Sequence, residues 1–345
     1  MSVRLMCMGD VMLGENLNHY NRSIRTKFHP DYKRLIPQEF YSYLNANSID
    51  LIFYNLEYSL SPLPEFKGKS AKQNIYKGTP ETLSLFEGHK IAVNIANNHF
   101  AEHGKQVCDY TKKTLREKEI AIIGETPEPV IFQIRDQQLL IFGVTLVKDK
   151  HGDSEYFKSD FSRLLETLKI PQKKEKNEFW IISIHWGDEY LNGPSIQQQE
   201  LGKLLIDNGF DLIIGHHPHT IQPVEFYKDK LIIYSLGNFI FDQNFSRRTQ
   251  TGLVLDVVMD TTVTLKNAFL SRQKKYVIRS LKTISLTKIN RIPKPGLYTF
   301  KKKLFSQWYR LLMKLEVLLH LNELDKETIA DFTGKFKGKI GLKKN

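Results

Sequence analysis

Six short apolar runs recur along the first two thirds of the chain, and each ends abruptly on small or polar side chains. Val3–Met8 closes on Gly9-Asp10, Leu51–Tyr54 on Asn55-Leu56-Glu57, and Ile91–Ile95 on Ala96-Asn97-Asn98-His99. Phe179–Ile184 closes on His185-Trp186-Gly187, Asp211–Ile214 on Gly215-His216-His217-Pro218-His219, and Leu231–Tyr234 on Ser235-Leu236-Gly237-Asn238. Short runs of this kind, with little polar alternation, predict strands covered on both faces. Between them the pattern turns helical. Thr79 before Pro80 reads as an N-cap followed by the residue favoured at the first helical position, opening a helix to about Gly88. Residues 104–118 and 196–208 are further predicted helices. Segments 130–134 and 139–144, split by Asp136-Gln137-Gln138, predict a hairpin, and the alternation over 252–269 predicts late, edge-side antiparallel strands. Buried strands interspersed with helices predict an α/β fold with mixed sheets.

The pattern changes after residue 270. Residues 271–303 are Lys-rich with little periodicity, and Pro293 and Pro295-Gly296 interrupt any regular element. Leu304, Trp308, Leu311, Leu312, Leu315, Leu318 and Leu319 then recur at helical spacing, predicting an amphipathic helix over 304–321. The expected division is a domain over 1–270 and a basic C-terminal extension over 271–345. Charge sharpens this division. Residues 270–345 hold 19 of the 50 Lys and Arg and 5 of the 38 Asp and Glu, a net of +14 that leaves −2 for the rest. Such a field favours anionic partners, an acidic polymer or an anionic membrane. No zinc-finger spacing or RNP-like motif appears, which places nucleic acid last. The amphipathic stripe suits either packing against the body or contact with a membrane interface.

Two cysteines in 345 residues, Cys7 and Cys108, exclude a disulfide scaffold and a thiolate-built zinc site. No apolar run approaches the roughly 18 residues of a membrane span, and the N-terminus lacks the pattern of a signal peptide. The expected location is cytoplasmic, with peripheral contact at the inner face of the membrane.

The ends of the six runs carry the chemistry. In α/β sheets, ligands bind in the crevice outside the carboxyl ends of strands. Asp10, Glu57, Asn98, His185, His217 and His219 would bring carboxylate, amide and imidazole donors there. That donor set suits Zn²⁺, Mn²⁺ or Fe²⁺, one or two ions, with Glu57 or Asp10 as a bridge. Read singly, each residue has a plainer role: Asp10 capping a turn, Glu57 a solvated charge, Asn98-His99 a turn, His185 a packed core ring. Three imidazoles within four residues of a loop pinned by Gly215 and Pro218 fit a plainer role least well.

The blocks Gly9-Asp10-Val11-Met12-Leu13, Asn55-Leu56-Glu57, Ala96-Asn97-Asn98-His99, His185-Trp186-Gly187-Asp188-Glu189-Tyr190, Gly215-His216-His217-Pro218-His219 with Gln222, and Ser235 to Gln243 share an order and spacing. Over roughly residues 3–260 this sequence resembles the CapA family of poly-γ-glutamate capsule biosynthesis proteins, whose domain is related to calcineurin-like metallophosphoesterases. The resemblance implies a four-layer α/β/β/α sandwich of metallophosphoesterase type. It implies metal ligands at Asp10, Glu57, Asn98, His185 and His217 or His219, with Asp10 counted among the catalytic residues. It also implies a leaving-group proton donor at His99. His216, Glu189 and Asn238 are further site candidates. The sequence departs from the phosphoesterase pattern in three places. Met12 stands where the opening Asp-x-His has its histidine, Glu57 stands where Asp is usual, and Gly215-His216-His217-Pro218-His219 is one residue longer than Gly-His-x-His.

Two functional classes follow. The first is a metal-dependent hydrolase in capsule or surface-polymer synthesis, acting on a phosphoester or amide through metal-activated water. The second is a non-hydrolytic binding or assembly factor that holds an acidic polymer in the same cleft.

Overall fold

Strand β1 (Val3–Val11) opens the chain, followed by helices α1 (Ile24–Phe28) and α2 (Gln38–Ala46). Next come β2 (Leu51–Leu56), the two-residue strands β3 (Ser59–Leu60) and β4 (Lys77–Gly78), β5 (Ile91–Asn94), α3 (Lys105–Glu117) and β6 (Ala121–Ile123). The second half holds β7 (Val130–Ile134), β8 (Gln137–Thr145), α4 (Leu164–Thr167), β9 (Glu178–His185), α5 (Ile196–Asp207) and β10 (Leu212–His216). It ends with β11 (Val224–Tyr227), β12 (Lys230–Ile233), β13 (Asn238–Ile240), β14 (Thr251–Met259), β15 (Val263–Lys274) and β16 (Val277–Thr283). This computed structural model describes residues 2–15, 23–62, 76–148, 155–244, 246–274 and 276–285. The helix expected over 304–321 lies outside the described residues. Among the described residues, no helix is long and apolar enough to cross a membrane.

The strands form two large mixed sheets. The first runs β16-β15-β14-β1-β2-β5-β6, with β13 added beside the end of β1. The second runs β11-β12-β10-β9-β8-β7. The period-2 geometry of a strand sorts its side chains into two sets. Val3, Leu5 and Cys7 of β1 and Leu51 and Phe53 of β2 share one buried cluster with Leu139 and Ile141 of β8, Ile181 of β9 and Leu212 and Ile214 of β10. The alternate residues Met6, Met8, Ile52 and Tyr54 pack instead with Phe40 and Leu44 of α2 and Leu115 of α3. On the second sheet, Leu140, Phe142, Ile182 and Ile213 pack with Leu201 and Leu205 of α5. Both faces of the central strands are therefore covered, which is why their sequences read as continuous apolar runs.

Several elements differ from the sequence expectation. β1 continues through Gly9 and Asp10, because Asp10 pairs with Asn55 of β2 on one side and Asn238 of β13 on the other. The helix expected from Pro80 forms as a 3₁₀ helix, Pro80–Phe86, and Thr79 makes no side-chain capping hydrogen bond. Strand pairing runs on past residue 270: β15 reaches Lys274 and pairs with β16. There the buried positions Ser271 and Gln273 are polar and alternate with exposed Arg272 and Lys274, so hydropathy does not reveal the strand.

A polar tie fixes β1 to its neighbours. Arg4 donates from Nε to Asp256 Oδ1 at 2.8 Å and from Nη2 to Asp256 Oδ2 at 2.6 Å. The Tyr43 hydroxyl of α2 donates to Asp256 Oδ2 at 2.5 Å. Burial works to raise the Asp256 carboxyl, but the hydrogen bonds from Arg4 and Tyr43 outweigh it and hold the carboxyl below its ordinary range. A carboxyl depressed in the folded state adds stability above its unfolded value and loses it as pH falls through the folded value. Asp256→Asn is expected to cost about 3 kcal/mol near neutrality, the scale for breaking a buried pair. In urea unfolding the deficit should narrow below about pH 4; a deficit unchanged across that range would contradict the assignment.

Candidate metal centre

The carboxyl ends of β1, β2 and β5 from one sheet and β9 and β10 from the other open onto one buried cleft. Register brings them level: Asp10 is opposite Asn55 on β2, and His185 is opposite His216 on β10. Asp10, Glu57, His185, His216, His217 and His219 are all buried.

Two groups of donors form within the cleft. In the first, His185 Nε2 lies 2.8 Å from Asn98 Oδ1, 3.1 Å from His217 Nδ1 and 3.9 Å from Glu57 Oε1. In the second, His219 Nδ1 lies 3.4 Å from Asp10 Oδ2, and its Nε2 lies 3.5 Å from the same Glu57 Oε1. Glu57 Oε1 therefore faces both groups, while Oε2 accepts a hydrogen bond from Asn55 Nδ2 at 3.1 Å. Carboxylate and imidazole atoms of Asp10, Glu57 and His185 lie within 4.8 Å of one another, as do those of Glu189, His217 and His219. Glu189 thus joins the cleft at its more open side.

Backbone geometry aims the histidines. His217 and His219 both take left-handed conformations, with φ of 95° and 54°, on either side of Pro218. Such conformations cost non-glycine residues about 1–3 kcal/mol each and persist where the surroundings enforce them. Here Tyr190 N donates to Pro218 O at 2.7 Å, and Thr220 Oγ1 donates to Leu191 O at 2.7 Å. The extra residue of the Gly215-to-His219 block is thereby explained. His216 is the last residue of β10 and its Nδ1 lies 3.0 Å from Asp10 Oδ1, behind the carboxylate, whereas His217 and His219 face the other donors.

Supporting groups fix the tautomer of His219. Asn238 Nδ2 donates to Gln243 Oε1 at 3.0 Å and to Thr249 O at 2.9 Å, so its Oδ1 is the atom presented to His219 Nδ1 at 2.9 Å. With Nδ1–H donating there, Nε2 is the ring nitrogen left to face Glu57. Asn55 plays the equivalent part for the carboxylates, donating to Asp10 Oδ1 at 2.9 Å as well as to Glu57. Asn97 holds that amide in place through Asn55 Oδ1 at 3.2 Å. At the rim, His99 Nδ1 pairs with Glu102 Oε2 at 3.0 Å, and Nε2 points back toward Glu57 Oε1 at 3.9 Å. Tyr76 stacks on the His99 ring with centroids 3.9 Å apart.

The electrostatics of this cleft favour a cation. Burial and then the neighbouring Asp10 charge push Glu57 well above the usual carboxylate range. Burial also works to raise Asp10, but hydrogen bonds from His216 and His219 outweigh it and keep the carboxyl low. Burial opposes a charge on His219, yet Glu57 and Asp10 lift the ring to about 10. Burial and the facing His217 drive His185 down. Among the described residues, Glu57 Oε1 has no hydrogen-bond partner although it is buried. A buried carboxylate oxygen left without a hydrogen bond is costly, and a divalent ion among these oxygen and nitrogen donors would satisfy it. The donors present fit such an ion.

Every residue singled out from the strand ends reaches this cleft, with Asn238 and His216 acting from behind it. Tyr76 escapes sequence reasoning, because it follows no apolar run and carries no ligand-type group. Asn55 and Asn97 sit in the sequence blocks, but nothing in their spacing distinguishes an amide that binds a carboxylate from one that closes a turn.

The model of the family described as bacterial capsule synthesis protein PGA_cap matches residues 4–243, a span that contains all of these groups. The chain is 28% identical over 263 residues to the capsule biosynthesis protein CapA of Bacillus anthracis, covering 72% of this chain and 62% of that protein. It is 30% identical over 198 residues to the PGA biosynthesis protein CapA of Bacillus subtilis (strain 168), covering 54% of this chain and 52% of that protein. It thus aligns with little more than half the length of these relatives. The extent of the family match, from β1 to just beyond β13, shows that the chain belongs to the bacterial capsule synthesis protein PGA_cap family.

Proposed function

We propose that the cleft is a divalent-metal centre in a four-layer α/β/β/α sandwich of metallophosphoesterase type. We further propose that it hydrolyses a phosphoester or amide during synthesis of a capsule or surface polymer of the poly-γ-glutamate kind. The observation that carries this reading is Glu57 Oε1, buried, without a hydrogen-bond partner among the described residues, and 3.5 to 3.9 Å from nitrogens of His219, His185 and His99. Asn98, His185 and His217 would hold one ion, Asp10 and His219 a second, with Glu57 between them. When bound, a divalent ion supplies Lewis acidity toward the scissile group and lowers the pKa of water. His99 would give a proton from Nε2 to the leaving group, its ring held by Glu102 and Tyr76. The basic segment after residue 285 would favour residence beside an anionic surface, on the cytoplasmic face of the membrane in this reading.

One observation favours a second reading, a binding or assembly factor for an acidic polymer. Met12 occupies the place of the first-block histidine, is buried, and its sulfur accepts from Gly14 N at 3.2 Å. Relative to the phosphoesterase pattern, the Asp10–His219 group therefore lacks that imidazole donor. A panel of phosphoesters, nucleotides and γ-glutamyl or peptidoglycan-like amides, offered to the metal-loaded full chain, separates the two. Turnover of at least one class that stops on chelation supports the hydrolase. Metal-loaded protein that binds γ-linked glutamate oligomers and cleaves nothing supports the second reading.

A further inference from the structure

The loop after β13 carries two adjacent cations with no evident structural duty. Arg247 and Arg248 are exposed, and neither guanidinium makes an ion pair or hydrogen bond with any described residue. They line a pocket of about 300 Å³ together with Asn192, Thr220, Ile221 and Thr251. Thr220 directly follows His219, so one wall of this pocket is the continuation of the histidine loop.

The loop is anchored to the cleft as well. Asn238, whose Oδ1 faces His219, donates to Thr249 O at 2.9 Å, one residue beyond Arg248. Thr249 Oγ1 donates to Gln243 O at 2.7 Å, and Thr251 N donates to Arg248 O at 3.1 Å. The opposite wall is clasped through Thr220 Oγ1 to Leu191 O and Gln222 Nε2 to Leu191 O at 3.0 Å. The same residues that set the His219 ring thus set the position of the arginine pair.

Unpaired arginines are the side chains best suited to grip an oxyanion, since the planar guanidinium presents N–H groups that match carboxylate and phosphate oxygens in pairs. The pocket lies at the small end of the range for ligand sites. We propose that Arg247 and Arg248 form an anion subsite beside the metal cleft, taking an oxyanion of the substrate at a position away from the bond that reacts. The ligand chemistry is a carboxylate of a γ-linked glutamate chain or a phosphate of a phosphoester, bound through the same guanidinium geometry. This inference rests on the reading of the cleft as a substrate site.

The test is binding to the metal-loaded full chain by calorimetry, with γ-linked glutamate oligomers and inorganic phosphate as separate probes. It compares the wild type with Arg247→Gln, Arg248→Gln and the double variant, and metal content is measured on each. The expected result is roughly tenfold weaker binding of one or both probes in the double variant, with smaller losses in the single variants and unchanged metal content. Weakening of the oligomer alone identifies the polymer carboxylate as the ligand, and weakening of phosphate alone identifies the phosphoester. Equal binding by wild type and double variant overturns the subsite, as does failure of the wild type to bind either probe. Loss of metal along with binding also overturns it, because the loop would then only brace His219. A wild type that takes up no metal defeats the metal-centre reading instead, a separate outcome measured before any probe is added.

Discussion

His99→Ala is expected to lower turnover by roughly 10²–10⁴-fold while leaving the metal content unchanged, the range for loss of a positioned proton donor. Its geometry separates it from the ligand groups. The His99 side chain retains 15% exposure, whereas those of His185 and His219 are at 1% or less. Its Nδ1 is committed to Glu102, and Tyr76 covers one face of the ring at 3.9 Å. Its Nε2 stands 3.9 Å from Glu57 Oε1, at the mouth of the cleft and not among the crossed contacts of His185 with Asn98 and His217. Activity and metal content measured on the same preparation decide the role. Loss of both together would make His99 a ligand, and retention of full turnover would remove it from the chemistry.

Gly9→Ala is expected to destabilise the fold by about 3 kcal/mol or more, the upper end for overpacking a closed interior. A Cβ at this position would stand 1.8 Å from Gly237 O and 2.9 Å from Gly237 C. Neither atom belongs to a side chain that could swing away. Gly237 O also accepts the hydrogen bond from Asp10 N at 2.9 Å, so the contact is where β13 joins β1 beside the cleft. The strain would reach Asn238, the next residue, and through it the His219 ring. Urea unfolding of the variant measures the first effect, and metal affinity of whatever remains folded measures the second. A loss below about 1 kcal/mol would mean that β13 moves freely away from β1, contrary to the fixed register described here.

The carboxylates and imidazoles of the cleft are legible in the sequence because each follows a buried strand, and the end of a buried strand is where an α/β sheet displays polar groups. The central strands β2, β9, β10 and β12 are legible for the same reason, being apolar on both faces. What escapes is whatever depends on contacts between distant segments. β16 escapes because the positions buried beside it on β15 include Ser271 and Gln273. The continuation of β1 through Gly9-Asp10 escapes because glycine and aspartate are poor strand formers, and it is pairing with β2 on one side and β13 on the other that extends the strand there. The division of labour between His216 and His217 escapes because adjacent histidines are equivalent in a sequence. The left-handed turn at His217 is what sends one behind Asp10 and the other toward His185. The stacking of Tyr76 on His99 joins positions far apart in the chain and has no local signal at all.

Metal stoichiometry is the most direct test of the central claim, that Glu57 joins two groups of buried donors into one divalent-metal centre. The full chain is stripped with chelator, reconstituted separately with Mn²⁺, Fe²⁺ or Zn²⁺, desalted and analysed for bound metal beside Glu57→Gln. The expected result is roughly one to two equivalents retained by the wild type, with weaker or lower retention by the variant that loses the bridging charge. No metal retained by well-folded wild type, or retention by Glu57→Gln equal to the wild type in number and affinity, would contradict it.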